Sequence, residues 1–121
     1  MARRVRVLIA DDRPTTRQGL RALLSLFPQI EIVAEAADGQ ESMDLVAKHL
    51  PNVVLMDMQM SVMDGVEATR RIKEQWPTVR IIALTLHPKY RAEALTAGVD
   101  VFLLKDGNPE ALIGAILSKV D

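Results

Sequence analysis

Short apolar runs alternate with amphipathic stretches along the whole chain. The runs VRVLIA (5–10), EIVAEA (31–36), NVVLMD (52–57), VRIIALT (79–85) and VFLLK (101–105) read as strands. They are rich in Val, Ile and Leu, and several show little alternation, as strands covered on both faces do. The stretches between them read as helices. Leu20, Leu23, Leu24 and Phe27 recur at i, i+3, i+4 and i+7 within PTTRQGLRALLSLF, and Met43, Val46, Ala47 and Leu50 repeat that spacing. A third helix runs from Gly65 to Trp76, with Val66, Ile72 and Trp76 facing inward. The pattern over 89–97 is weaker and made mostly of alanine, with Gly98 placed to end it. The last helix has Asn108 as N-cap, Pro109 at its first position and Glu110 favourable to the helix dipole. Its apolar face is Leu112, Ile113, Ile116, Leu117 and Val120.

The order βαβαβαβαβα with right-handed crossovers predicts an α/β fold: an open five-stranded parallel sheet with helices on both faces. Ligands of such sheets bind beyond the carboxyl ends of the strands.

Composition narrows the function classes. The chain has 121 residues, which fits one domain over 1–121, and 49% of them are apolar, which argues against disorder. No Pro/Gly/Ser-rich linker, low-complexity tract or internal repeat interrupts it. The absence of cysteine excludes disulfides and thiolate zinc sites and fits a cytoplasmic location. A formal net charge of -1 gives no strong field for nucleic acid, and the local RRVR reads as a solvated strand start. The apolar stretch in MARRVRVLIADD is too short for a signal peptide or a membrane span.

The residues that end the apolar runs carry the chemistry. The first run exits at Asp11 and Asp12, the third at Asp57, the fourth at Thr85 and the fifth at Lys105; the second leaves through a turn at Asp38-Gly39. A carboxylate directly after four apolar residues is costly unless paired or metal-bound. Three carboxylates converging at one sheet edge repel one another unless one is protonated or a cation neutralises them. Oxygen-only donors without His or Cys favour Mg2+ over zinc. Lys105 offers a point charge for phosphate oxygens and Thr85 a hydroxyl donor. These are parts for phosphoryl transfer, with Asp57 as nucleophile and Asp11 and Asp12 as metal holders.

The set resembles the CheY-like receiver domain of two-component response regulators, over the whole chain. DD after the first strand, the acid in VVLMDMQMSVMDG, LT after the fourth and LLKD after the fifth carry the resemblance. DDRPTTRQGLRALL, GVEATRRI and FLLKD are most similar to the NarL/FixJ (LuxR-type) branch, whose full proteins usually carry a C-terminal helix-turn-helix. The resemblance implies strand order 2-1-3-4-5. It implies that Asp57 accepts a phosphoryl group from a sensor histidine kinase, a phosphotransfer protein or a small acyl phosphate. Asp12 and Asp57 would hold Mg2+ directly, Asp11 mainly through water, with the backbone carbonyl of Gln59 as a further ligand. Thr85 and Lys105 would contact the phosphoryl oxygens. Phe102 stands where the family has its aromatic switch residue, paired with Thr85, and Gly65 matches the glycine that opens the third helix. Ser61 replaces a frequent proline, implying a looser loop after Asp57, and Asp106 replaces a frequent cis proline. The distance from Thr85 to Lys105 is short for the family, and the deficit falls in LHPKYRAE.

An alternative is a magnesium-dependent phosphohydrolase with an aspartyl nucleophile. Such enzymes often have a second acid two residues on, where this chain has Gln59, which does not titrate. A flavin or nucleotide binder would want a Gly- or Ser/Thr-rich loop after the first strand, but ADDRPTT opens with two acids. A pseudo-receiver that only binds partners would not need the full acid, Thr and Lys set. The expected activity is self-phosphorylation and autodephosphorylation rather than turnover of a separate substrate. His49 reads as a surface residue near a helix end, and His87, two past Thr85, borders the site. Gln59 and His87 are expected to tune the lifetime of the phosphorylated state. Output is expected on the fourth helix, fifth strand and fifth helix, or through a homodimer formed on phosphorylation. DNA would be contacted only through an output domain outside this chain, and no membrane contact is expected.

Overall fold

A computed structural model describes residues 3–118. The strands are β1 (Val5–Ala10), β2 (Ile30–Ala36), β3 (Val53–Met56), β4 (Arg80–Thr85) and β5 (Val101–Leu104). The helices are α1 (Pro14–Leu24), α2 (Gly39–His49), α3 (Gly65–Gln75), α4 (Arg91–Ala97) and α5 (Pro109–Leu117), with a 3-10 turn at Pro88–Tyr90 before α4. All pairings are parallel and the order is β2-β1-β3-β4-β5. The expected architecture is therefore the one found.

Successive residues of a strand point to opposite faces, and both faces of the central strands are covered. Leu8, Ala10, Val54, Met56, Ile81 and Ala83 join α2, α3 and α4 in one core. Val7, Ile9, Val53, Leu55, Ile82 and Leu84 join α1 and α5 in the other. This is why these runs lack alternation. Each fully buried Leu or Ile contributes about 1.5–3 kcal/mol of transfer free energy.

Local chemistry sets the helix starts. Asp38 accepts from the Glu41 N–H at 2.8 Å, and Glu41 Oε1 accepts from the Ala37 N–H at 3.1 Å, a near capping box. Asp64 caps α3 by accepting from the Glu67 N–H at 2.9 Å. Asn108 caps α5 by accepting from the Glu110 N–H at 2.8 Å, with Pro109 in the first turn, as the sequence indicated. Gly98 ends α4 with φ 114, a conformation only glycine adopts without strain.

Several expectations need correction. Leu50 does not continue the apolar face of α2: it ends the helix in the left-handed region (φ 46) and is 56% exposed. Ala47 is also exposed, and the inward face is instead Ser42, Met43, Leu45 and Val46. Phe27 lies beyond the end of α1 but still packs on the core. Val66 and Trp76 do pack against the core, as expected, but are half-buried, and Ala68 and Thr69 are the fully buried additions on α3. His49 is half-buried rather than on the surface. Arg3 and Arg4 are exposed, but Arg6 is half-buried and donates to the carbonyls of His49 (2.7 Å) and Leu50 (3.1 Å), closing the end of α2. Val120 lies outside the described residues. Among the described residues, no helix is long and apolar enough to cross a membrane.

Candidate functional site

Sheet register builds the site. Ala10 of β1 stands opposite Met56 of β3, so the next residues, Asp11 and Asp57, leave the sheet side by side. The Asp57 N–H donates to the Ala10 carbonyl at 2.9 Å, which fixes that exit. Thr85 stands opposite Leu104, and the Lys105 N–H donates to the Thr85 carbonyl at 2.8 Å. Four strand ends thus place Asp11, Asp57, Thr85 and Lys105 at one edge, as expected from the sequence.

Asp11, Asp57 and Thr85 are buried (2%, 6% and 1% exposed), whereas Asp12 is exposed. Asp11, Asp12 and Asp57 each offer a carboxylate oxygen, and these oxygens lie within 4.8 Å of one another. Lys105 Nζ lies 2.5 Å from Asp11 Oδ2 and 3.1 Å from Asp57 Oδ2. The ammonium therefore neutralises two of the acids, and its closer partner is Asp11. The other oxygens are also satisfied: Asp11 Oδ1 accepts from the Arg13 N–H at 2.8 Å, and Asp57 Oδ1 from the Gln59 N–H at 3.2 Å. Arg17 donates to the Asp11 carbonyl at 2.6 Å while its Nε stands 3.3 Å from Glu35 Oε1, tying α1 and β2 to the end of β1. Burial pushes the Asp57 carboxyl above the usual carboxylate range; the Gln59 N–H and Lys105 oppose that shift, and Asp11 adds to it.

Gly65 lets α3 start against the Asp57 backbone. A Cβ there would stand 1.8 Å from the Asp57 carbonyl oxygen, and the Gly65 N–H donates to the Met58 carbonyl at 3.1 Å. The loop returns to α2, where the Gly39 N–H donates to the Met63 carbonyl at 2.9 Å. Where a looser loop was expected after Asp57, the segment is tied at both ends. Its crest is Val62, 84% exposed with φ 67, flanked by a Met63 N–H to Ser61 carbonyl bond of 2.7 Å. A β-branched residue in that region is strained.

A cleft of about 350 Å³ opens over the acids. Asp12, Asp57, Gln59, Thr85, His87 and Lys105, all expected from the sequence, line it. Arg13, Met60, Ser61 and Leu86 also line it and were not anticipated. Their only signal was adjacency: each lies within the loops that follow the strand ends. Asp11 is buried and is not among the lining residues. Thr85 Oγ1 accepts from the His87 N–H at 3.4 Å, and the exposed His87 ring meets Tyr90 edge-on at 6.1 Å. Phe102 is outside the cleft, half-buried against the core, with the Arg91 guanidinium 6.0 Å from its ring centre.

The family model for the response regulator receiver domain matches residues 7–117. The transcriptional regulatory protein DegU of Brevibacillus brevis is 36% identical over 115 residues, covering 93% of this chain and 49% of that protein. The nitrate/nitrite response regulator NarP of Escherichia coli is 39% identical over 112 residues, covering 91% of this chain and 52% of that protein. The chain spans about half the length of the curated relatives it matches. The solved receiver domain of NarL from Mycobacterium tuberculosis superposes with a TM-score of 0.87 at 32% identity, covering 97% of this chain and 99% of that one.

Proposed function

The chain belongs to the response regulator receiver family, and on that premise we propose that it is a phosphorylation-dependent switch with Asp57 as acceptor. The observation that carries this reading is the Lys105 ammonium bridging Asp11 and Asp57 at 2.5 and 3.1 Å under an open cleft. A lysine so placed lies beside the acceptor oxygen, where new phosphoryl oxygens would arrive.

An ionised Asp57 oxygen forms the new bond to phosphorus, and the donor's leaving group departs on the far side with the bonding pair. Lys105 and the Thr85 hydroxyl contact the phosphoryl oxygens. The clustered oxygen donors fit a hard cation. Asp12 and Asp57, with Asp11 through water and the backbone carbonyl of Gln59, would hold Mg2+, which supplies charge neutralisation when bound. Gln59 and His87 stand in the cleft wall, where they can tune access of water to the phosphoryl group. The donor is a sensor histidine kinase, a phosphotransfer protein or a small acyl phosphate.

Phosphorylation adds about one and a half to two negative charges and three acceptor oxygens. Thr85 then moves toward the phosphoryl group, Phe102 turns inward, and α4, β5 and α5 present an altered surface. That surface controls a partner, a homodimer or a DNA-binding output domain of the kind expected in transcription regulators such as DegU. Intact-mass spectrometry after acetyl phosphate or phosphoramidate with Mg2+ tests the acceptor. One phosphoryl group is expected, absent in Asp57→Asn; labelling unchanged by that substitution would defeat the assignment.

A further inference from the structure

Three basic residues line the cleft: Arg13, His87 and Lys105. Lys105 is committed to Asp11 and Asp57. The His87 ring rests edge-on against Tyr90. Arg13 differs from both. Its backbone N–H is anchored on Asp11 Oδ1 at 2.8 Å, while its exposed side chain has no hydrogen-bond or ion-pair partner among the described residues. This is not a general habit of α1, because Arg17 and Arg21, one and two turns further on, both pair with Glu35. Arg13 therefore lines the same cleft as Asp57, with its backbone anchored and its guanidinium unpaired among the described residues.

Resting on the reading of Asp57 as acceptor, we infer that Arg13 is a specificity-determining residue that receives the carboxylate leaving group of an acyl phosphate. In-line transfer places the leaving group opposite the attacking Asp57 oxygen, toward the open side of the cleft. From an acyl phosphate, the O–P bond to Asp57 forms, the P–O bond to the acyl group breaks, and the electron pair departs on a carboxylate anion. From an N-phosphoryl donor, the P–N bond breaks and the protonated nitrogen keeps the pair and leaves neutral. Negative charge grows on the leaving group only in the first case. A planar guanidinium suits a carboxylate, and charge that develops during the reaction is what a fixed cation stabilises. Arg13 thereby favours acyl phosphates over N-phosphoryl donors.

The test compares initial rates of Asp57 phosphorylation by acetyl phosphate and by phosphoramidate, both with Mg2+, in the unsubstituted protein, Arg13→Gln and Arg13→Lys. With acetyl phosphate, Arg13→Gln is expected to be about fivefold slower, the scale of one exposed charge pair. With phosphoramidate its rate should not change, and Arg13→Lys should retain part of the acetyl phosphate rate. The donor-dependent difference should shrink as ionic strength rises. Equal slowing with both donors would reduce Arg13 to a structural role and overturn the inference, as would no slowing with either. Failure of the unsubstituted protein to take a phosphoryl group from either donor is a separate result, which would overturn the reading of Asp57 and this inference with it.

Discussion

The β1–β3 side of the sheet edge and the β4–β5 side are built differently. On the first, Asp11 and Asp57 leave neighbouring strands in paired register and Gly65 presses α3 onto the Asp57 carbonyl. Every strand residue of β3 is buried. On the second, α4 has seven residues, of which only Ala94 is buried, and no side chain caps its start. Leu86, Leu95 and Leu104 remain 42%, 45% and 36% exposed, and all four residues of β5 are partly or fully exposed. The carboxylates thus sit on the densely packed half; of the two proposed switch positions, Thr85 ends the buried stretch of β4, and Phe102 lies on the lightly packed β5 beside α4. A group that must hold geometry gains from tight packing. An element that must shift needs a small free-energy gap, which sparse burial supplies.

The largest effect should come from breaking the dense half. Gly65→Ala drives a methyl into the Asp57 carbonyl, and a loss of about 3 kcal/mol or more is expected in urea unfolding. A loss below 1 kcal/mol would mean that α3 can retreat from Asp57 and the half is not rigid.

Asp57→Asn should raise stability near neutral pH in metal-free buffer. Burial raises the folded-state pKa of Asp57, so the native state binds its proton more readily than the unfolded chain. Unfolding free energy then falls as pH rises from the ordinary carboxylate value through the raised folded value, and the ionised acid is a net cost above it. The advantage of Asn should therefore shrink as pH is lowered through that window. An advantage independent of pH would assign the effect to something other than ionisation.

A smaller change tests the loop between the acids and α3. Val62→Gly relieves a left-handed valine at an exposed crest and should gain about 1 kcal/mol, with the gain reduced by glycine's greater unfolded-state freedom. A loss would show that the exposed side chain makes a stabilising contact. The smallest effect belongs to the light half. Leu95→Ala on α4 should cost less than about 0.5 kcal/mol, and a cost as large as that of Gly65→Ala would erase the contrast.

The parts of this contrast that were legible in the sequence are those set by neighbours along the chain. Asp11, Asp57, Thr85 and Lys105 stood out because an apolar run stops at each, and parallel strands deliver their ends to one edge. Asn108, Pro109 and Gly98 announced helix ends through their own backbone chemistry. Leu50 misled because helical spacing continues into it, although the backbone has already turned left-handed there. Arg6 looked solvated because its acceptors, the carbonyls of His49 and Leu50, lie 43 and 44 residues away. The division of Lys105 between Asp11 and Asp57 was equally hidden, since it depends on which of several neighbouring acids an ammonium reaches. Long-range pairings of this kind leave no local pattern.

Amide hydrogen exchange with and without beryllofluoride and Mg2+ tests the central claim most directly. A phosphoryl mimic on Asp57 should alter protection over 85–105, in the loop after β4, α4 and β5, while β1 and β3 stay unchanged. Changes confined to α2 and α3, with 85–105 silent, would contradict the assignment of the switch to the lightly packed half.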